Sequence, residues 1–322
     1  MTKMECGALY IVIPCFNEEE VLPETFRRLS QKMKDLAAKG KVSEKSKILF
    51  VDNGSSDGTW QLINEFHKSA PQLVSGLKLS KNCGHQNGLA AGIRAASAHA
   101  DFVITMDADL QDDVDAADRM IDEYYGGSDI VYGVRSSREN DSFFKRTSAS
   151  MFYRFMDLIG VELVPNHADY RLMSARATKS LEEFREKDLF LRGILPLTGY
   201  PSSVVTYKRA KRFAGKSKYS VKNLFALAAS AIVSFSTAPL RLIPLVGALE
   251  LLAGAILLLV GCFGGGGTQG LPYWPIASLF LLISGINTLL LGIAAVYIGK
   301  TYEEAKGRPR YIIENKIGMG DE

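Results

Sequence analysis

Two carboxylates one residue apart, Asp107 and Asp109 in Asp107-Ala108-Asp109-Leu110-Gln111, stand where the apolar run Phe102-Val103-Ile104-Thr105-Met106 gives out. That run reads as a buried strand of a parallel sheet. On a continuing strand, residues i and i+2 share a face, so both carboxylates point one way and Gln111 follows them. Such an oxygen set suits Mg²⁺ or Mn²⁺, which takes one or two carboxylates and leaves substrate phosphates to complete its shell. A lone D-x-D fits a turn or a helix cap as well, since Asp is favoured at both. The neighbouring segments weigh on the choice.

Positive charge gathers further along. Ile130-Val131-Tyr132-Gly133-Val134 reads as a strand ending at Arg135, and Arg135, Arg138, Lys145 and Arg146 form a basic cluster. Such a cluster can hold a phosphate by charge-assisted hydrogen bonds, with a solvated loop as the competing reading. The stretch from Tyr207 to Tyr219, which holds Arg209, Arg212, Ser217 and Lys218, is strongly basic again. Attraction to anionic lipid head groups accounts for that charge.

The elements that must position these residues alternate in type. Leu9–Ile13 is a short apolar strand that Pro14 ends, and Asn17-Glu18-Glu19-Glu20 opens a helix with Asn17 as N-cap. Val21, Leu22, Phe26, Leu29, Met33 and Leu36 keep helical spacing. The strand Ile48–Val51 ends at the turn-rich Asp52-Asn53-Gly54-Ser55-Ser56-Asp57-Gly58-Thr59, and the strand Leu77–Leu79 at Lys81-Asn82-Cys83-Gly84-His85-Gln86-Asn87-Gly88. Strand-then-helix units repeating this way predict a parallel sheet with right-handed crossovers. Ligands collect beyond the C-terminal ends of such strands, where Pro14, Asn17, Asp52, Lys81 and Asp107 all fall. No G-x-G-x-x-G follows the first strand, which removes the main support for a dinucleotide fold.

The 322 residues hold one substantial α/β domain and something more. A net charge of +3, with 23% charged residues, gives no sign of a nucleic-acid partner. Cys6, Cys15, Cys83 and Cys262 lack metal spacing and fit reduced thiols in a cytosolic domain. A mean hydropathy near zero hides two regions. Leu242 to Phe263 is apolar apart from Glu250, and Leu271 to Gly299 carries no charge. Each exceeds the ~20 residues that span a bilayer core. Arg241 precedes the first stretch, and Lys300, Lys306, Arg308 and Arg310 follow the second, so both outer ends are expected in the cytoplasm. Glu250 is expected to pair across a helix or subunit interface, since a lipid-facing carboxylate is costly. Val221 to Ala238 reads as a pair of interfacial amphipathic helices. Leu9–Ile13 is too short to be the apolar core of a signal peptide.

Taken in order, Pro14-Cys15-Phe16-Asn17-Glu18, Asp52-Asn53-Gly54-Ser55-Ser56-Asp57-Gly58-Thr59 and Asp107-Ala108-Asp109 resemble the family-2 inverting glycosyltransferases of GT-A fold. More closely, the chain resembles the polyprenyl-phosphate glycosyltransferases, of the bactoprenol-glucosyltransferase or dolichol-phosphate-mannose-synthase type. The resemblance extends over nearly the whole length. It implies an α/β GT-A (Rossmann-like) catalytic domain over 1–219 with a mostly parallel sheet. Interfacial juxtamembrane helices over 220–240, a two-helix transmembrane hairpin over 241–300 and a cytosolic tail over 301–322 complete the expected domains.

The resemblance also implies roles. Asp52 holds the nucleotide base, while Pro14, Asn17, Glu18, Gly54, Ser55, Lys81, Gly88, Asp107 and Ala108 complete the nucleotide-sugar site. Glu18 suits ribose hydroxyls, and Gly54 and Gly58 let backbone approach the nucleotide. Asp107, Asp109 and Gln111 hold the metal, Mg²⁺ or Mn²⁺. Arg135 and Arg146 belong to a mobile loop gripping lipid phosphate, joined by Arg212, Ser217 and Lys218 of an R-x-x-G-x-S-K-Y run. Asp169, in Asn166-His167-Ala168-Asp169-Tyr170-Arg171, matches the catalytic base, and Arg192-Gly193 matches an R-G element near the acceptor. A phosphate monoester is already anionic, so Asp169 orients it more than deprotonates it, and His167 is a neighbour. One departure is Asn53, where relatives often carry a second Asp.

The expected reaction is inverting transfer of one sugar, glucose first among the candidates, from a UDP-hexose to polyprenyl (undecaprenyl) phosphate. It takes place at the cytosolic face of the inner membrane, catalysed by a homo-oligomer, with a tetramer as one form. A processive polysaccharide synthase would want a Q-x-x-R-W motif and more spans, and the chain has no Arg-Trp pair. A non-catalytic membrane-tethered nucleotide-sugar-binding protein would have no need of the D-x-D and Asp169 segments together.

Overall fold

The computed structural model describes residues 6–136, 167–187, 189–210, 240, 243–250, 252 and 273–319. The chain divides into two compact units, one of residues 1–158, 162–219 and 309–322 and one of 159–161 and 220–308.

In the first unit β1 (Leu9–Cys15), α1 (Leu22–Ala38), β2 (Lys47–Asp52), α2 (Thr59–Ser69), β3 (Val74–Leu79), α3 (His85–Ser97) and β4 (Phe102–Thr105) alternate as expected. α4 (Ala116–Tyr125), β5 (Ile130–Arg135), β6 (His167–Ser174) and β7 (Ser202–Tyr207) follow, and β8 (Ile313–Ile317) comes from the C-terminal residues. The sheet runs β7-β5-β6-β4-β1-β2-β3-β8. β3, β2, β1 and β4 are mutually parallel, β6 is antiparallel between β4 and β5, and β7 is parallel to β5. This is the mostly parallel α/β sheet of a GT-A fold. β4 is buried throughout and β1 nearly so, as strands covered on both faces must be.

Two packing features bring loops to the same end of the sheet. α1 turns Leu22, Leu29, Met33 and Leu36 inward at helical spacing. α3 lies close enough on the sheet that a Cβ at Gly92 would come 2.4 Å from Val12 Cγ1 and 2.6 Å from Val51 Cγ2. Only a residue without a side chain lets that helix seat its N-terminus beside the ends of β1, β2 and β4.

Four local expectations change. Pro14 does not end β1, which runs on to Cys15. On the side of β4 the last paired residue of β1 is Val12, so the missing N–H of Pro14 leaves no ladder bond unmade. Asn17 is not an N-cap. It adopts a left-handed φ of 53°, and α1 starts at Leu22 with Pro23 in its first turn. The D-x-D does not lie on a continuing strand, because β4 stops at Thr105 and Leu110 turns left-handed at φ 57°. Finally, residues expected as a tail supply β8, antiparallel to β3, with Gly76 opposite Ile317.

In the second unit, the helix Tyr273–Ala305 contains Leu282–Ala305, 24 residues that include an 18-residue stretch of mean hydropathy 1.9, long and apolar enough to cross a membrane. Of the other expected span only residues 243–250 and 252 are described, and they are helical. The Asn287 amide donates to the Glu250 carboxylate at 3.3 Å, giving that carboxylate a polar neighbour. The expected interfacial pair over Val221 to Ala238 lies outside the described residues.

Candidate active site

The loops after β1 and β2 are stitched together by their own polar groups. Ser55 Oγ accepts from the Asn17 N–H at 2.9 Å, and Asn17 Oδ1 accepts from the Ser56 N–H at 2.8 Å. Thr59 Oγ1 accepts from the Glu18 N–H at 2.9 Å, and Glu19 Oε2 from the Gly58 N–H at 2.7 Å. These bonds explain why Asn17 is drawn from the helix into the loop. A Cβ at Gly58 would come 2.9 Å from that Glu19 oxygen, so its bare Cα faces the first loop. Glu18 is half-buried at the same junction.

Asp52 ends β2 fully buried. Its Oδ1 accepts from the Ser55 N–H at 3.0 Å, while Oδ2 is buried with no hydrogen-bond partner among the described residues. Burial pushes its pKa up, with Ser55 opposing. A buried acceptor with an open lone pair suits an N–H from a ligand, because leaving it unpaired costs ~1–3 kcal/mol. Asn53 keeps its polar group for the next loop: its Oδ1 accepts from the Cys83 N–H at 3.0 Å and its Nδ2 donates to the Gly84 carbonyl at 3.1 Å. Gly54, at φ 69°, packs on that loop too, since a Cβ there would lie 2.4 Å from the Lys81 carbonyl carbon. Gly88 packs on Asn53, 3.2 Å from its would-be Cβ, and Lys81 is exposed.

Next to these loops lie the acidic residues. Ala108 is buried and its carbonyl accepts from Thr25 Oγ1 at 2.8 Å, which anchors the segment on α1. Asp109 Oδ1 accepts from the Gln111 N–H at 3.1 Å, a turn-forming bond. Burial raises the Asp107 pKa to about 6; His85 opposes, and the carboxylates of Asp112, Asp169 and Asp109 add to the rise. So the D-x-D forms a turn and also crowds negative charge. Gln111 turns elsewhere: its Oε1 accepts from Arg209, and its carbonyl accepts from the Ala210 N–H at 2.9 Å. Among the described residues no group of three or more His, Cys, Asp or Glu gathers to hold a metal. Two carboxylates, Asp107 and Asp109, in a crowd whose mutual repulsion a dication would relieve, are the donor number that Mg²⁺ or Mn²⁺ takes when substrate oxygens complete the shell.

Asp169 sits on β6, 8% exposed. Its Oδ1 accepts from Arg171 and, at 3.2 Å, from Arg192 Nε; its Oδ2 accepts from Arg192 Nη2 and Gln86 Nε2, both at 3.2 Å. His85 Nε2 lies 3.3 Å from that Oδ2 and 3.7 Å from Asp107 Oδ1. Burial works to raise the Asp169 pKa, but Arg192, Arg171 and His85 outweigh it and hold the carboxyl well below the usual range. The same neighbours and burial leave His85 raised: desolvation lowers it, and Asp169 and Asp107 more than compensate. A carboxylate so stabilised is a feeble base and a strong anchor.

On the far side, Asp112 is buried, accepts from the Tyr207 hydroxyl, and lies 3.7 Å from Arg135 Nη2. The structure therefore brings Asp107, Asp109, Asp169, Arg192 and Arg135 to one end of the sheet, with Pro14 and Asp52 at the ends of β1 and β2 and Asn17 and Glu18 on the adjoining loop. Arg138, Lys145, Arg146, Arg212, Ser217 and Lys218, and the side chain of His167, lie outside the described residues. Sequence reasoning passed over Arg171, His85, Gln86, Asp112 and Tyr207. Only Arg171, a charge inside an apolar strand pattern, carried a local signal.

The family model described as Glycosyl transferase family 2 matches residues 10–182. The chain is 44% identical over 316 residues to the "Uncharacterized glycosyltransferase YkoT" of Bacillus subtilis (strain 168), covering 97% of this chain and 93% of that one. It is 36% identical over 313 residues to the "Bactoprenol glucosyl transferase" of Shigella phage SfV, covering 95% and 98%. With the "Prophage bactoprenol glucosyl transferase homolog" of Escherichia coli (strain K12), identity is 35% over 309 residues, covering 94% and 97%.

Proposed function

The chain belongs to glycosyl transferase family 2 and is a glycosyltransferase, and we propose that it moves one sugar from a UDP-hexose, glucose first among the candidates, to polyprenyl phosphate. The observation that carries the acceptor is the kinship with bactoprenol glucosyl transferases along almost the entire length, apolar C-terminal region included. Asp52, with one buried oxygen unpartnered among the described residues, receives an N–H of the base. Asp107 and Asp109 hold a divalent cation, Mg²⁺ or Mn²⁺, which when bound neutralises the departing diphosphate. Arg192 and Arg135 meet the acceptor phosphate, and Asp169 keeps Arg192 in place. Since the acceptor oxygen is anionic from the outset, the weak basicity of Asp169 is no handicap.

The reaction takes place at the cytosolic face. β8 follows the apolar helix Leu282–Ala305 in the chain yet pairs with β3. A single crossing between β7 and β8 would leave β8 across the membrane from its partner strand, so the β3–β8 pairing supports an even number of crossings and with it a second span within Leu242 to Phe263. Lys300 in the last turns of the helix, and Lys306, Arg308 and Arg310 beyond it, favour the cytosolic side.

The test is a panel of UDP- and GDP-sugars incubated with membranes holding the protein and undecaprenyl phosphate, with mass analysis of the lipid. The expected product is one hexose per lipid phosphate from one UDP-sugar. Polymer on the lipid, or sugar that never leaves the nucleotide, refutes the proposal.

A further inference from the structure

Gln86 touches two partners that the reaction needs kept together. It is the second residue of α3, and its amide reaches in two directions. Nε2 donates to Asp169 Oδ2 at 3.2 Å, while Oε1 accepts from the Leu191 N–H at 3.2 Å. Leu191 opens the short helix Leu191–Leu197, and the next residue on it is Arg192, whose guanidinium forks onto the same carboxylate.

The Asp169 carboxylate has no lone pair to spare. Arg171 and Arg192 occupy Oδ1, and Arg192, Gln86 and His85 surround Oδ2, against about four lone-pair sites that a carboxylate offers. Of the two arginines on it, Arg171 is sealed in the core and Arg192 is 35% exposed. Only Arg192 can present charge to a ligand. A guanidinium aimed by a fork at a buried carboxylate keeps its remaining donors in a fixed plane, which is what recognition of a phosphate requires.

We propose that Gln86 is a positioning residue: it clamps the Asp169 carboxylate to the Leu191–Leu197 helix and so sets the aim of Arg192 at the anionic acceptor. The inference deepens the proposed function and rests on it for the identity of the acceptor. Gln86 acts through Arg192 and touches neither donor nor acceptor itself.

The test uses the full chain with UDP-glucose and undecaprenyl phosphate. Gln86→Met removes both hydrogen bonds at similar volume. Gln86→Glu keeps an acceptor for the Leu191 N–H and replaces the donor to Asp169 by a like charge. Both variants are expected to raise the KM for lipid phosphate about tenfold or more, the worth of one hydrogen bond to a charged group, and to leave the KM for nucleotide sugar unchanged. A merely structural role would move both constants and the melting temperature together. That result overturns the clamp, as does a lipid KM equal to the wild-type value in both variants. If Gln86→Met does not fold, Gln86→Glu decides. If the wild type glycosylates no lipid phosphate from any sugar nucleotide, the proposed function fails; the structure of a folded Gln86 variant then still decides the clamp. Arg192 displaced from Asp169 upholds it, and Arg192 in place refutes it.

Discussion

Gly54→Ala offers the sharpest check on how the donor loops are built, because Gly40 supplies its control. Both glycines are left-handed, with φ of 69° and 65°. Around Gly40 a Cβ would meet nothing within 4 Å among the described residues, whereas at Gly54 it would come 2.4 Å from the Lys81 carbonyl carbon and 2.5 Å from the Asn82 nitrogen. A left-handed L-residue costs ~1–2 kcal/mol, and the less free unfolded chain returns ~0.4–1 kcal/mol, so Gly40→Ala is expected to lose about 1 kcal/mol. Gly54→Ala adds an overpacking cost of ~1–3 kcal/mol, for a total of about 2–4 kcal/mol. The atoms struck are backbone, so the Lys81–Asn82 segment itself has to retreat. At ~2–4 °C per kcal/mol for a domain of this size, thermal scans of the detergent-solubilised chain should show a drop of about 2–4 °C for Gly40→Ala. A loss of ~3 kcal/mol, mid-range for Gly54→Ala, corresponds to about 6–12 °C on the same scale. Because Asn53 ties that segment to the end of β2, the KM for nucleotide sugar should rise in Gly54→Ala alone. Equal melting losses in the two variants would refute the packing argument.

Other consequences can be measured on the same preparation. Asp109→Asn, or chelation by EDTA, should abolish transfer without changing the circular-dichroism spectrum or the melting temperature; near-normal turnover in chelator removes the metal from the mechanism. Asp129 is buried and accepts from Ser174 Oγ at 2.7 Å and from Arg176, whose hydrogen bonds first of all lower its pKa. A lowered carboxylate contributes stability that is complete above its ordinary pKa and is lost as pH falls through the lowered one. Asp129→Asn should therefore flatten the acid side of the stability–pH curve, and an unchanged acid limb counts against that ion pair. Removing residues 309–322 takes away β8 and, with Gly318, the carbonyl that accepts from Ser75 Oγ at 2.8 Å and from Lys47, so the truncated chain should melt lower and aggregate through the bared edge of β3. Met319→Cys, in a background without the native cysteines, should react with an impermeant maleimide only after the membrane is opened; labelling from outside would overturn the even number of crossings.

The parts of the fold that were legible in the chain are those written locally. Short, mostly apolar runs and the polar clusters after them mark β1 to β5, the end of β2 at Asp52 and the loops that carry Asn17, Lys81 and Asp107. Helical spacing of Leu22, Leu29, Met33 and Leu36 marks α1, although its start shifted once Asn17 found partners in the second loop. The length and apolarity of Leu282–Ala305 needed no tertiary context. The D-x-D was visible as a pair of carboxylates, but its turn geometry was not, since Leu110 is not a residue that announces a positive φ.

By itself, then, the sequence determined the alternation of strands and helices, the strand ends at which ligand-binding groups collect, the apolar segment and the family. These rest on periodicity and motif order within short windows. The tertiary structure decided which groups meet. β6 enters antiparallel between β4 and β5 and so carries Asp169 and Arg171 into the centre of the sheet, where Gln86, His85 and Arg192 arrive from two other elements. β8 closes the edge of β3 from beyond the apolar helix. A hydrogen bond between residues 83 or 236 positions apart leaves no pattern in either segment, because each side chain's choice of partner depends on where the backbone brings it and not on its neighbours in the chain.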